Sequence, residues 1–203
     1  MNRTNAALFC SQCGHKLVPV ATPDASHIRS ECPSCARVEY SGPQVLVLTI
    51  VMAQDRMLLV RRGIEPYVGK WAQPGGFVEE SELLEVAAAR EVEEECGIRI
   101  PAIEFVPIGI LSLSRLNQVH VLFLAVLPEP SEVRASPPEA TDAAWFSLQD
   151  FPYEEVWEPL KAVDVSLVYR YVKEGRFFFF QRYDDAHRVV LTSTSLVTMW
   201  TNL

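Results

Sequence analysis

The chain has 203 residues, of which 49% are hydrophobic and 22% charged, enough apolar material for one good core and a small appendage beside it. Its formal charge of −8 argues against a protein built to wrap nucleic acid, which needs a basic face to release counterions from phosphates; a nucleotide-sized ligand stays open, because a bound divalent metal can supply positive charge. The amino terminus holds no apolar run of signal-peptide length, and the longest apolar run, residues 45–53 with one Thr, is far too short to span a bilayer, so the chain reads as a soluble, cytoplasmic protein.

In chain order, residues 8–40 hold two tight cysteine pairs, Cys10-Ser-Gln-Cys13 and Cys32-Pro-Ser-Cys35, in a polar stretch without a core of its own. Residues 41–43 make a linker, so a small module is expected over 1–41 and a larger domain over 42–203. Residues 44–53 read as a nearly continuous apolar strand buried on both faces. Gln54-Asp55 is a turn, and 56–62 returns as a second strand. Residues 63–76 are loop-rich. A helix is predicted over about 81–96, with Ser81 at the N-cap, Glu82 and Glu85 in the first turn and Gly97 at the stop. Residues 98–100, 104–114, 119–127 and 143–147 read as strands, with 128–138 a loop. Residues 159–173 read as a helix ended by Gly175, and 177–181 as a last strand. This order predicts an α/β fold, an α/β/α sandwich around a mixed sheet. The apolar, β-prone tail 189–200 should pair within the fold or across a homodimer, since exposed it would invite aggregation.

The first helix carries the most informative residues. At about 100° per residue with Glu91 at zero, Glu95 lies near 40° and Glu94 near 300°, with Ala87 between them near 320°. Three carboxylates therefore share one sector with a side chain too small to block it, while Ala88, Val92 and Cys96 form an adjoining core stripe. Like charges at these spacings cost a few tenths of a kcal/mol each on an exposed helix and more in a cleft. Mg²⁺ or Mn²⁺, which prefer hard oxygen ligands and are usually held by carboxylates together with substrate phosphates, would offset that repulsion. Arg90, one turn before Glu94, is placed to orient a carboxylate. A bare Glu-x-x-Glu-Glu is nevertheless more often a solvated face than a metal site.

The full spacing is more specific: Gly76-x5-Glu82-x7-Arg90-Glu91-Val92-x-Glu94-Glu95-x-Gly97-Ile98, nine specified positions over 23 residues. It resembles the signature of the Nudix hydrolase family, and Gly69-x-Trp71-x-x-Pro74-Gly75-Gly76 resembles that family's entry loop. The resemblance implies the Nudix sandwich over about residues 44–182. It also implies that Glu91, Glu94, Glu95 and the Gly75 carbonyl are ligands of a catalytic Mg²⁺ or Mn²⁺, and that Glu82 and Arg90 are orienting groups. The reaction implied is hydrolysis of a diphosphate linkage in a nucleotide derivative, where divalent ions bridge the phosphate oxygens and lower the pKa of water. A general base from a later loop is also expected. Glu139, in Pro137-Pro138-Glu139, is the first candidate and His120 the second; Arg61, Arg62 and Arg115 are candidates for phosphate.

Cys-x2-Cys, eighteen residues, then Cys-x2-Cys is the spacing of a four-thiolate zinc ribbon, with Gly14 suiting the tight turn of the first knuckle and Ala36 replacing glycine in the second. Cys10, Cys13, Cys32 and Cys35 leave no open position, so this Zn²⁺ would be structural; His15 is not needed. A ribbon before a Nudix domain resembles the NADH pyrophosphatases and a set of ADP-ribose or FAD pyrophosphatases. The Ser-Gln-Pro-Trp-type motif of the first group is missing from residues 110–124, which contain Leu111-Ser-Leu-Ser114. The proline that dedicated ADP-ribose enzymes often place about fifteen residues past the box is missing too. The run 119–126, Trp145-Phe146 and the strand at 177 look most like the ADP-ribose/FAD group, and a small nucleotide-derived substrate is the expected partner.

Phe177-Phe-Phe-Phe180 and Trp71 read either as ring-stacking groups or, more simply, as packing. Two other function classes are a nucleotide-sensing module that kept the fold but lost hydrolysis, and a zinc-ribbon nucleic-acid adaptor. The intact carboxylates oppose the first. Against the second, residues 1–40 carry only Arg3, Lys16, Arg29 and Arg37 as basic side chains besides histidine.

Overall fold

The computed structural model describes residues 8–23, 26–40, 42–161 and 163–175 in full and 179–183 and 186–190 as backbone. The chain divides into two compact units, Met1–Pro43 and Gln44–Leu203. In the first, β1 (Val18–Ala21), β2 (Ile28–Glu31) and β3 (Val38–Glu39) form a small antiparallel sheet. Among its described residues the core is Cys10, Leu17 and Cys32.

In the second unit, β4 (Gln44–Ala53) runs parallel to β9 (Gln118–Leu127), from Gln44 opposite Gln118 to Ala53 opposite Leu127. From Val47 onward β4 is covered on both faces, which is why its sequence is continuously apolar. β5 (Arg56–Arg62) turns back beside it but pairs only through Met52 with Met57 and Ala53 with Arg56. The strands then part, and residues 71–77 fill the gap. β6 (Trp71–Ala72) pairs with β5, and β7 (Gly75–Phe77) pairs with β4. The stretch that reads as loop in sequence therefore contains a two-strand wedge, too short to show a period.

β10 (Ala140–Ser147), β5, β4, β9, β8 (Val106–Leu113), β11 (Phe179–Tyr183) and β12 (Ala186–Val190) follow in that order across the sheet. The β4–β9 and β8–β11 pairings are parallel and the other neighbours antiparallel. On one face α1 (Leu84–Cys96) packs Ala87, Ala88, Val92 and Cys96 among Val47, Val51, Leu58 and Val60. On the other, α2 (Glu158–Lys161) and α3 (Val165–Lys173) set Leu160, Val165, Val168 and Tyr169 against Leu48, Ile50, Met52 and Met57. Successive residues of β4 thus serve opposite layers, and each fully covered Val, Leu or Ile contributes about 1.5–3 kcal/mol. This is the α/β/α sandwich around a mixed sheet that the element order predicts.

Several boundaries differ from the sequence reading. The first helix starts at Leu84, not near 81: Ser81 has φ 64°, and Leu83 occupies the N-cap without a side-chain bond. Glu82, rather than entering the helix, turns back so that its Oε2 accepts from the Glu79 N–H at 2.9 Å. Residues 98–100 form no strand; Ile98 and Ile100 are buried against α1 without a ladder partner, so their alternation reflects packing alone. The helix read over 159–173 breaks in two, with the Asp164 carboxylate capping α3 at the Leu167 N–H, 3.1 Å. Gly97 does end α1, in the left-handed region at φ 72°. The strand read over 177–181 lies at Phe179–Tyr183 and is followed by one more, β12, whose Val189 and Val190 pair with Phe180 and Phe179. Phe177, Phe178, the side chains of Phe179 and Phe180, and residues 191–203 lie outside the described set. Among described residues no helix is long and apolar enough to cross a membrane.

Candidate active site

The four cysteines of the first unit are the one group of three or more ligating side chains, among the described residues, whose donor atoms all lie within 4.8 Å of each other. Sulfur separations of 3.4 Å (Cys13–Cys32), 3.6 Å (Cys10–Cys35) and 3.6 Å (Cys13–Cys35) are far beyond a disulfide. They suit the edges of a tetrahedron of Zn–S bonds about 2.3 Å long. Two matching turns build it: the Gly14 N–H donates to the Cys10 carbonyl and the Ala36 N–H to the Cys32 carbonyl, both at 2.9 Å. Gly14 and Ala36 are both left-handed, at φ 73° and 57°, so the second knuckle makes the glycine turn with an alanine.

In the second unit, α1 and the β6–β7 wedge build an acidic site around Arg90. Its Nε and Nη2 donate to the two oxygens of Glu82 at 2.8 and 2.9 Å, and Nη2 also to the Phe77 carbonyl at 3.0 Å. Nη1 donates to Glu91 Oε1 at 2.7 Å and Glu94 Oε2 at 3.0 Å. All five guanidinium N–H groups are engaged. This clamp explains why Glu82 leaves the helix.

The wedge covers two of the acids. Glu91 is 6% exposed and Glu95 9%, whereas the Glu94 side chain is 56% exposed; all three line the cavity beside the core stripe of Ala88, Val92 and Cys96, two of them covered. The Gly75 N–H donates to Glu95 Oε2 at 3.0 Å. A Cβ at Gly75 would strike the Val47 carbonyl, and one at Gly76 the Glu91 carboxylate, so both glycines are needed for this approach. Burial pushes the Glu95 carboxyl up to about 8, against the Gly75 bond and with the charges of Glu91 and Glu139 adding to it. Burial also raises Glu91, with Arg90 opposing and Glu94 and Glu139 reinforcing. The donor set is of hard oxygens and carries concentrated negative charge, which suits a divalent cation such as Mg²⁺ or Mn²⁺.

These groups line a cavity of about 550 Å³ that also takes in Arg62, Tyr67, Phe77, His120, Glu139 and Trp157. Glu139, remote in sequence from the helix, is brought there because the Gly63 N–H donates to its carbonyl at 2.7 Å. Gly75, Glu91, Glu94, Glu95 and Glu139 therefore share one cavity, with Glu82 behind Arg90 at its wall. His120 also lines it, 3% exposed, with Nε2 at 3.0 Å from Gln118 Oε1 and Nδ1 unpartnered. Burial drives its pKa down to about 4, which keeps the ring neutral. Of the phosphate candidates, Arg62 lines the cavity and Arg61 and Arg115 do not. Trp71 is buried, edge-on to Phe146 at 4.9 Å, a packing role.

A model of the NUDIX domain matches residues 41–165. The chain belongs to the Nudix hydrolase family. A second model, the Nudix N-terminal zinc ribbon, matches residues 8–41. Among Nudix relatives, the NAD-capped RNA hydrolase NudC of Chromobacterium violaceum is 31% identical over 145 residues, 69% of this chain and 51% of that protein. The ADP-ribose pyrophosphatase of Methanocaldococcus jannaschii is 34% identical over 116 residues, 56% of this chain and 67% of that one. The chain spans about half the length of the NudC relative. The crystal structure of a NUDIX hydrolase from Nitrosomonas europaea superposes with a TM-score of 0.72 at 31% identity, covering 87% of this chain and 98% of that one.

Sequence reasoning passed over Gln73, Tyr67 and Trp157. Trp157 Nε1–H donates to Gln73 Oε1 at 2.9 Å within the interior, and the Tyr67 ring meets the indole edge-on at 6.2 Å. No spacing rule links residues 84 apart, and Trp157 lies just before α2.

Proposed function

We propose that this chain hydrolyses the diphosphate linkage of a nucleoside diphosphate derivative, ADP-ribose or FAD, using Mg²⁺ or Mn²⁺ at Glu91, Glu94, Glu95 and the Gly75 carbonyl. The observation that carries the reading is the Arg90 clamp, which fixes Glu91 and Glu94 in the lining of a cavity sized for a nucleotide. A divalent ion bound there would neutralise phosphate oxygens and ease ionisation of water. Glu82 and Arg90 act as positioning groups, because Arg90 has no donor left for substrate. Glu139 takes the proton of the attacking water; this reading is supported by its place in the same cavity lining as the three glutamates and by its charge being felt at Glu91 and Glu95. The four cysteines hold a structural Zn²⁺.

A second reading, cleavage of NADH or a related dinucleotide, is favoured by the likeness to NudC, whose name gives NAD-capped RNA as its substrate. The missing Ser-Gln-Pro-Trp motif weighs against it. The test is kcat/KM for ADP-ribose, FAD and NADH with Mg²⁺ and with EDTA. Glu94→Gln, at an exposed position, should abolish turnover without shifting the melting temperature. Metal-independent turnover, or an active Glu94→Gln variant, refutes the assignment.

A further inference from the structure

The cavity is lined by six carboxylates, Glu65, Glu79, Glu91, Glu94, Glu95 and Glu139, against two guanidinium groups, Arg62 and Arg90. A diphosphate entering it needs donors as well as metal, and Arg90 is saturated by Glu82, Glu91, Glu94 and Phe77. Arg62 is different. Its side chain donates from Nε to the Pro66 carbonyl at 2.8 Å, and among the described residues no carboxylate lies within ion-pair distance of it. Nη1 and Nη2 are left for a ligand.

Its position is built rather than incidental. The guanidinium lies over the Trp157 indole, 5.2 Å from Cζ to the ring centroid. Trp157 is itself pinned through Nε1 to Gln73, which is 2% exposed and directly precedes Pro74-Gly75-Gly76. Arg62 stands opposite Ala140 in the β5–β10 ladder, one residue from Glu139, and the next residue, Gly63, holds the Glu139 carbonyl. A stacked guanidinium keeps its plane fixed and presents a two-donor edge that matches a phosphate. Arg61 is stacked as well, its Cζ 5.7 Å from the Trp71 ring centroid and its Nε donating to Gly69, but its Nη2 pairs with Glu155 and it does not line the cavity.

We propose that Arg62 is the residue that binds the diphosphate of the substrate, and that Trp157 and Gln73 are positioning residues that hold its plane toward the cavity. The phosphoryl group taken by Arg62 is thereby set beside Glu139. The proposal rests on the hydrolase reading above, and two readouts separate their fates.

Steady-state kinetics on ADP-ribose with Mg²⁺ should give Arg62→Ala a KM raised about tenfold or more, with kcat changed much less and melting unchanged. Arg62→Lys should recover only part, since an ammonium keeps the charge but not the stacked fork. Trp157→Phe, which keeps a ring but loses the Gln73 bond, should raise KM by about two- to fivefold while leaving kcat, and Arg61→Ala should match wild type. The second readout is tryptophan emission during titration with ADP in EDTA, which should change in the wild type and not in Arg62→Ala. An Arg62→Ala KM within about twofold of wild type, or an ADP response equal in both proteins, overturns the proposal. If the wild type hydrolyses none of the substrates yet ADP alters its emission and not that of Arg62→Ala, the hydrolase reading falls and the Arg62 site stands.

Discussion

A methyl group added at Gly76 would stand 2.6 Å from Cδ of Glu91 and 2.8 Å from its Oε2, and closer still to Oε1. Relaxed carbon contacts are about 3.5–4.0 Å, so the carboxylate must withdraw by about 1 Å. It has little room to do so: Glu91 is 6% exposed, and its Oε1 is tied to Arg90 Nη1 at 2.7 Å. Overpacking of this kind costs about 1–3 kcal/mol, or about 2–4 °C of melting temperature per kcal/mol for a protein of this size. Displacing a catalytic group by about 1 Å costs on the order of 10²-fold in rate. Gly76→Ala should therefore fold, melt a few degrees lower and lose about two decades of Mg²⁺-dependent kcat/KM on ADP-ribose. Adding Glu91→Ala to it should restore the melting temperature, because the crowding is removed, without restoring turnover. A Gly76→Ala enzyme with wild-type kcat/KM refutes the reasoning, since it would mean that the placement of Glu91 is immaterial.

Glu82→Gln, which keeps the volume but removes the charge that receives Arg90 Nε and Nη2, should lower kcat/KM about tenfold or more. Arg90→Lys should do no better, because one ammonium cannot span Glu82, Glu91 and Glu94; steady-state kinetics checks both. Stripping metal with a strong chelator should abolish structure in the first unit, whose core among the described residues is Cys10, Leu17 and Cys32, while the second unit keeps its melting transition. Ala36→Gly relieves a left-handed alanine at φ 57° and should stabilise the zinc-loaded ribbon by about 1 kcal/mol, read as slower metal loss to a chelator. The depressed pKa of His120, about 4 against an unfolded value near 6.5, means the unfolded chain binds the extra proton first. That contribution to stability is intact above about pH 6.5 and lost as pH falls toward 4. His120→Gln should flatten the denaturation midpoint over that window, and an unchanged pH profile counts against the buried, neutral imidazole.

Much of the second unit is legible in sequence because its signals are local. Residues 44–53 and 56–62 are strands at those very bounds, since the stretches covered on both faces, 47–53 and 57–60, are almost continuously apolar and the Gln54-Asp55 turn separates them. The core stripe Ala88, Val92 and Cys96 follows from helical period, and Gly97 is the left-handed stop. The errors share one cause. The helix start near 81, the strand at 98–100 and the unbroken helix over 159–173 are places where a specific side-chain bond or packing contact, to which hydrophobic period is blind, overrides the periodic signal. Glu82 is drawn to Arg90, Ile98 and Ile100 pack against α1 without pairing, and Asp164 begins a new helix.

The sequence by itself determined the chemistry available: three glutamates on one sector of a helix, the glycines before it and two cysteine pairs at zinc-ribbon spacing, because these depend on helical period and short-range spacing. Only the tertiary structure decided which of those groups are covered and which meet. The parting of β4 and β5 lets the wedge bury Glu91 and Glu95 while Glu94 stays exposed, and the Gly63 bond brings Glu139 to the same cavity. Trp157 lays a plane under Arg62 from 95 positions further along the chain. Burial and convergence are sums over distant segments, which no local spacing encodes.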